Sequence, residues 1–218
     1  AYLGQGGIGL PNRDYYYEEK YATIRSAYVK HIEASLALAE IPNAAQAAQS
    51  VFDFEMKLAQ SMLRPSEMRE PEKTYNKQAL PEVMRSFGPH FNFKMYLTEV
   101  GCAVPDTIIV SNPTFNIKLS QLLKDVPLQD LKNYLQWCVI NHYAGHLDEA
   151  FVNLNFAFYE GVLSGKREQQ PIYEQAIEEM TNLEVGELLG KAFVDKHFSK
   201  EAQERVNEMV DNLLFVYK

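Results

Sequence analysis

Apolar residues return every three or four positions along almost the whole chain, and prolines and glycines cut that rhythm into pieces. A period of this kind commits a chain to amphipathic helices packed against one another. Residues 18–40 place Tyr21, Ile24, Tyr28, Ile32, Ser35, Leu36 and Ala39 on one face. Pro42 stops that helix, and Asn43 is a good N-cap for the next, which runs to about Leu63 with the stripe Ala47, Val51, Phe54, Leu58 and Met62. Together they predict an antiparallel helical hairpin with a very short turn.

The remaining punctuation extends this picture. Residues 64–80 are polar and twice broken by proline, which predicts a loop. Pro81 opens a short helix, 81–87, closed by Gly88–Pro89, and another, 91–100, ends at Gly101. Residues 107–110 (TIIV) are the one strand-like run. Asn112 and Pro113 open a helix to about Asp125. Pro127 opens the longest periodic segment, 127–163, in which Leu128, Leu131, Leu135, Cys138, His142 and His146 recur at helical steps and Gly145 marks a kink or division. Residues 164–168 form a turn, Pro171 starts a helix to about Leu189, and Ser199 caps a last one, 200–218. No period of 20–50 residues repeats, which excludes a solenoid. The fold class expected is all-α: an irregular multi-helix bundle of antiparallel hairpins, with at most one short strand pair.

Composition narrows the function classes. In 218 residues, 46% hydrophobic and 23% charged is ordinary for a globular domain. The net charge of −8, with 21 basic residues dispersed among 29 acidic ones, argues against nucleic acid as a partner. No apolar run approaches the ~18 residues of a membrane span, and no signal-peptide pattern leads the chain. Cys102 and Cys138 have neither disulfide-framework nor metal-ligand spacing and read as two free thiols.

The motifs with chemical content are weak. Gly4, Gly6 and Gly9 formally match the dinucleotide-binding glycine pattern, but no strand of useful length precedes them and Leu10-Pro11-Asn12, not a helix, follows. A flexible or tightly turned connector fits better. His142 and His146 stand at the i, i+4 spacing of a zinc-binding helix, with Glu149 one further turn along. Yet Tyr143 sits where an H-E-x-x-H peptidase needs its glutamate, and His142 continues an apolar stripe, so a core histidine is the simpler reading. Glu178, Glu179, Glu184 and Glu187 read as a solvated helix face. Tyr15, Tyr16 and Tyr17 read as packing of the first helix onto the rest. From its residues alone the chain shows no catalytic and no metal-binding residue, and its substrate-binding residues stay unassigned.

Four blocks, in order and at matching spacing over nearly the whole chain, resemble the neprilysin and endothelin-converting-enzyme family of zinc metallopeptidases, its bacterial members above all. They are Gly7 to Tyr16 (GIGLPNRDYY), Arg69 to Lys77 (REPEKTYNK), Ala150 to Tyr159 (AFVNLNFAFY) and Gly186 to Val194 (GELLGKAFV). The resemblance implies the N-terminal helical part of such an enzyme: residues 1–17 a glycine-rich connector, residues 18–218 a helical lobe truncated at its C-terminal end. It implies a lid over a chamber that admits short peptides, with oligopeptides as substrates of the parent protein and the catalytic lobe of the same chain as partner. Zinc would belong to the parent, its ligands outside these residues, and the present chain would be inactive alone. Asn155-Phe156-Ala157-Phe158-Tyr159 looks superficially like the family's substrate-backbone motif but belongs to the upstream block, so substrate binding is not carried onto it. The resemblance also favours an extracytoplasmic location. The first residue, Ala1, and a final stripe of Val206, Val210, Leu213 and Tyr217 still in phase at Lys218 lead us to expect a piece of a longer protein, with apolar surface open to self-association. Two rivals remain: a free-standing helical interaction module, and a helical enzyme centred on His142 and His146.

Overall fold

A computed structural model describes residues 1–183 and 185–217. In chain order the elements are β1 (Tyr2–Leu3), α1 (Asp14–Tyr17), α2 (Ala22–Leu38), α3 (Ala44–Gln60), α4 (Pro71–Thr74), β2 (Asn76–Ala79), α5 (Leu80–Phe87), α6 (Phe93–Glu99), β3 (Thr107–Val110), α7 (Pro113–Asp125), α8 (Leu128–Tyr143), α9 (Glu149–Asn155), a π-helix (Phe156–Leu163), α10 (Ile172–Asn182), α11 (Gly186–His197) and α12 (Lys200–Tyr217), with short 3-10 turns between several of them. The mostly helical class expected from the periodicity is what the chain adopts. Residues 1–167 form one compact unit and the described residues from 168 onward another.

The first unit is built on the predicted hairpin. α2 buries Tyr28, His31, Ile32, Ser35 and Leu36, and α3 buries Ala47, Ala48, Val51, Phe52, Phe54, Glu55, Leu58 and Ala59. The turn between them needs two left-handed residues, Glu40 at φ 58° and Asn43 at φ 55°. Asn43 does stand at the helix start, but in that conformation its side chain caps nothing; an asparagine tolerates the left-handed region better than most residues. Asn112, by contrast, caps α7 as expected, its Oδ1 accepting from Phe115 N–H at 3.1 Å.

Two segments depart from the sequence reading. Within the expected loop 64–80, residues 76–79 form β2, which pairs antiparallel with β3 from Asn76↔Val110 to Ala79↔Thr107. β1 pairs with the other side of β3 in parallel, Tyr2↔Ile109 and Leu3↔Val110, so the sheet runs β1-β3-β2. Only β3 carries the apolar signature, because only it is central; Ile108 and Val110 pack with Leu80, Val83, Phe87 and Phe93 beneath the sheet. A polar edge strand such as β2 leaves no hydrophobic alternation to read.

The second departure is the face of α8. Leu128 and Leu135 are 69% and 61% exposed, whereas Trp137 is 1% exposed and Asn133 is buried too. The leucine stripe loses to Trp137, whose ring buries more area than any leucine and whose N–H finds a buried partner. The break near Gly145 is real: a 3-10 turn spans Ala144–His146, and Asp148 Oδ1 then caps α9, accepting from Ala150 N–H at 3.0 Å.

Residues 1–17, expected as a connector, are packed into the first unit, with Leu10 and Tyr16 each 2% exposed. In the second unit, the helix expected over 171–189 is two helices, α10 and α11, and Glu184 lies outside the described residues. Ser199 caps α12, its Oγ accepting from Ala202 N–H at 3.1 Å. Among the described residues no helix is long and apolar enough to cross a membrane.

Candidate functional site

The sequence candidates do not assemble into a reactive centre. His142 lies in the last turn of α8 and is exposed, its ring 4.7 Å from that of Tyr143; the expectation of a core histidine is corrected, for the same reason that the leucine stripe turns outward. His146 lies in the following 3-10 turn and Glu149 beyond the Asp148 cap, so the three do not share one helix face. Among the described residues no group of three or more His, Cys, Asp or Glu side chains could hold a metal ion. The described residues therefore do not fit a zinc site. Glu178, Glu179 and Glu187 are exposed. Cys102 and Cys138 are both free thiols.

The glycine segment is structural. β1 precedes it, but the next helix, α1, starts only at Asp14 and is 4 residues long, too short to aim amides at a pyrophosphate. Instead Gly7 O accepts from Tyr134 Oη–H at 2.8 Å, and a methyl group on Gly9 would collide with the Tyr28 hydroxyl. The tyrosines do pack the first helix inward: Tyr16 is buried, Tyr15 stacks on Tyr21 at 4.0 Å, and the Tyr17 hydroxyl donates to Met56 O. Phe158, from the block that looks like the substrate-backbone motif, is 3% exposed in the core.

What these segments converge on is a carboxyl group that periodicity did not single out. Glu55 of α3 is 1% exposed. Tyr16 Oη–H donates to its Oε2 at 2.6 Å, while the Tyr28 hydroxyl lies 2.9 Å from Oε2 and 3.1 Å from Oε1. The Tyr16 oxygen in turn accepts from Leu10 N–H at 3.2 Å. The Trp137 indole N–H donates to the Tyr28 oxygen at 3.2 Å. Burial pushes the Glu55 carboxyl up to about 7, against the opposing help of Tyr16, Tyr28, the Gly9 amide and Trp137. None of those partners is a cation. Both phenols are raised as well, burial first and the nearby carboxylate second. The signal was present in the sequence: Glu55 sits four residues after Val51 and three before Leu58, inside the apolar stripe.

Beside it lies a second buried ionisable group. His31 of α2 is 5% exposed, stacked on Phe158 at 4.9 Å and edge-on to Trp137 and Tyr159 at 5.5 and 5.4 Å. Burial pushes it down to about 4, although the Asn141 amide beside it pulls the other way. Neither ring nitrogen makes a hydrogen bond of good geometry.

This junction is closed. Three clefts on the surface, of about 650, 430 and 390 Å3, are lined by other residues. Glu55 lines none of these three, and through its buried hydrogen bonds it ties Gly9–Leu10, α1, α2, α3 and α8 together. The outer face carries a different feature. Leu128, Leu135, Val139 and Tyr143 form an apolar stripe along α8, each more than half exposed. In the second unit no described residue is buried, and Ile172, Leu188, Phe193 and Phe215 are 84%, 70%, 63% and 83% exposed.

The model of the N-terminal region of peptidase family M13 matches residues 1–218. Rat endothelin-converting enzyme 1 is 24% identical over 216 residues, covering 95% of this chain and 28% of its own length. Mouse endothelin-converting enzyme-like 1 is 25% identical over 223 residues, covering 98% and 28%. The crystal structure of a Mycobacterium tuberculosis zinc metalloprotease in complex with an inhibitor superposes with a TM-score of 0.90 at 28% identity, over 98% of this chain and 33% of that one. The chain spans about a third of the length of the proteins it matches.

Proposed function

Because the chain belongs to peptidase family M13, as the N-terminal region of a neprilysin-type zinc metallopeptidase, we propose that it is the non-catalytic helical lobe that caps the active-site chamber of such an enzyme and restricts its substrates to short peptides. The observation that carries this reading is the family-model match over residues 1–218, together with relatives of which this chain covers only about a third. On this reading zinc is the cofactor of the parent protein, with its ligands in the larger remainder outside these residues. The partner is then the catalytic lobe of the same parent chain, and oligopeptides are the parent's substrates. The uncovered stripe on α8 and the exposed apolar residues of the second unit supply surface for such a partner to cover. A wall of this kind selects by size: it encloses the reacting peptide and excludes water and folded chains.

The test is made on the parent protein. It should hydrolyse short fluorogenic peptides in a zinc-dependent manner and leave a folded protein substrate intact, while the 218-residue chain alone hydrolyses neither. Cleavage of short peptides by the rigorously purified 218-residue chain would overturn the reading. The exposed α8 stripe also favours a second reading, a free-standing helical interaction module. A parent gene with no H-E-x-x-H downstream of Lys218 would decide for that one.

A further inference from the structure

We propose that Glu55 and His31 act as an opposed pair of buried titrating groups, one keeping its proton and the other refusing one, so that the core of the first unit stays free of ionic charge and equally stable through mildly acidic conditions. The geometry carries this. The two side chains come from adjacent helices, α3 and α2, and share the same aromatic neighbours: Tyr28 bonds Glu55 and lies against Phe158, which stacks on His31. Trp137 bonds Tyr28 and sits edge-on to His31. Among the described residues neither ionisable group has an opposite charge beside it. Facing Glu55 are Tyr16 from α1, Tyr28 from α2, Tyr134, Trp137 and Cys138 from α8, Tyr159 from the π-helix and the Gly9 amide. Facing His31 are Trp137 and Asn141 from α8 and Phe158 and Tyr159 from the π-helix. These groups are neutral at the pH in question. An ion formed at either position would be buried with no counter-charge, a costly way to bury a charge.

The linkage signs are opposite. Burial raises the Glu55 carboxyl from 4.5 to about 7, so the folded chain holds a proton there that the unfolded chain has lost, and stability falls as pH rises from about 4.5 to about 7. Burial lowers His31 from 6.5 to about 4, so the unfolded chain holds a proton there that the folded chain lacks, and stability falls as pH drops from about 6.5 to about 4. Over the shared window, about 4.5 to 6.5, the two slopes cancel. Unfolding near the middle of it transfers one proton from carboxyl to imidazole with no net exchange with solvent from this pair.

The experiment is urea denaturation of the 218-residue chain at a series of pH values, for the wild type, Glu55→Gln, His31→Phe and the double variant. Glu55→Gln should unmask the histidine: relative to wild type, its folding equilibrium weakens on the order of a hundredfold as pH is lowered from 6.5 to 4.5. His31→Phe, which keeps an aromatic ring in the stack, should shift as far the other way, and the double variant should follow the wild-type profile. Should a variant fail to fold, NMR titration of His31 in the folded wild type decides the matter: an imidazole still neutral at pH 5 supports the pair. A His31 that titrates near 6.5 in the folded chain, or single variants whose pH profiles parallel the wild type, would overturn it.

Discussion

The two compact units share a helical composition but are held together by different means. The first closes on three clusters of buried side chains, around Tyr28 and Trp137, around Val83 and Val110, and around Phe54 and Phe115. The second has α10, α11 and α12 and not one buried residue among those described. Helical periodicity alone therefore says little about stability: most of a helix's stability in a protein comes from burying its apolar face. α2 and α3 bury theirs within the unit, whereas the stripe of α12, with Val206, Val210, Leu213 and Tyr217 between 42% and 87% exposed, has nothing of its own unit to cover it.

Three measurements would break or sharpen that contrast. The largest effect is expected in hydrogen exchange: amides of α3 and α8 should exchange only through global opening, and those of α12 through local fraying, at rates at least roughly a hundredfold faster. Equal protection in a dilute monomer would dissolve the distinction. Next in size is a pair of truncations. Trp137→Ala removes a ring that is 1% exposed and bonded to Tyr28, and should cost about 3–5 kcal/mol in urea denaturation. Phe193→Ala, at a position 63% exposed, should stay within about 0.5 kcal/mol. Smaller again is Gly9→Ala, whose new methyl group meets the Tyr28 hydroxyl and should cost about 1–3 kcal/mol by overpacking. Gly6→Ala, with nothing within 4 Å of the added carbon, should be near neutral. Similar losses for the two glycine variants would show that the segment contributes backbone freedom rather than close approach.

These contrasts also show what sequence could and could not convey. The α2–α3 hairpin, the Asn112 cap and the Ser199 cap were legible because a proline, a polar cap and an apolar period each leave a local mark. The inward face of α8 was not, because periodicity gives every position at a helical step the same weight, whereas in the fold one tryptophan outweighs several leucines. β2 was illegible because an edge strand is held by backbone hydrogen bonds to β3, which any side chains permit. Glu55 and His31 escaped because a search for apolar periodicity passes over the polar residue in the stripe, and it is there that a buried polar group has most to say. The family blocks, read as a resemblance, reached further than the periodicity: Gly9, Tyr16 and Phe158, from two of the four, meet at the same junction.

The central place of β3 has a consequence for how the chain comes into being. β1 pairs with nothing but β3 in the described sheet, through bonds such as Ile109 N–H to Ala1 O at 3.0 Å. During synthesis the first strand thus emerges more than a hundred residues ahead of its partner, a wait of roughly 5–20 s at the ribosome's pace of about 5–20 residues per second. The α2–α3 hairpin, whose contacts are local, forms early on this schedule, while the sheet and the Trp137 side of the core are late arrivals. Until then Leu3, which packs with Ile108 and Val110, stays uncovered, and the glycines that follow it keep that stretch a poor template for premature β pairing with a neighbouring chain.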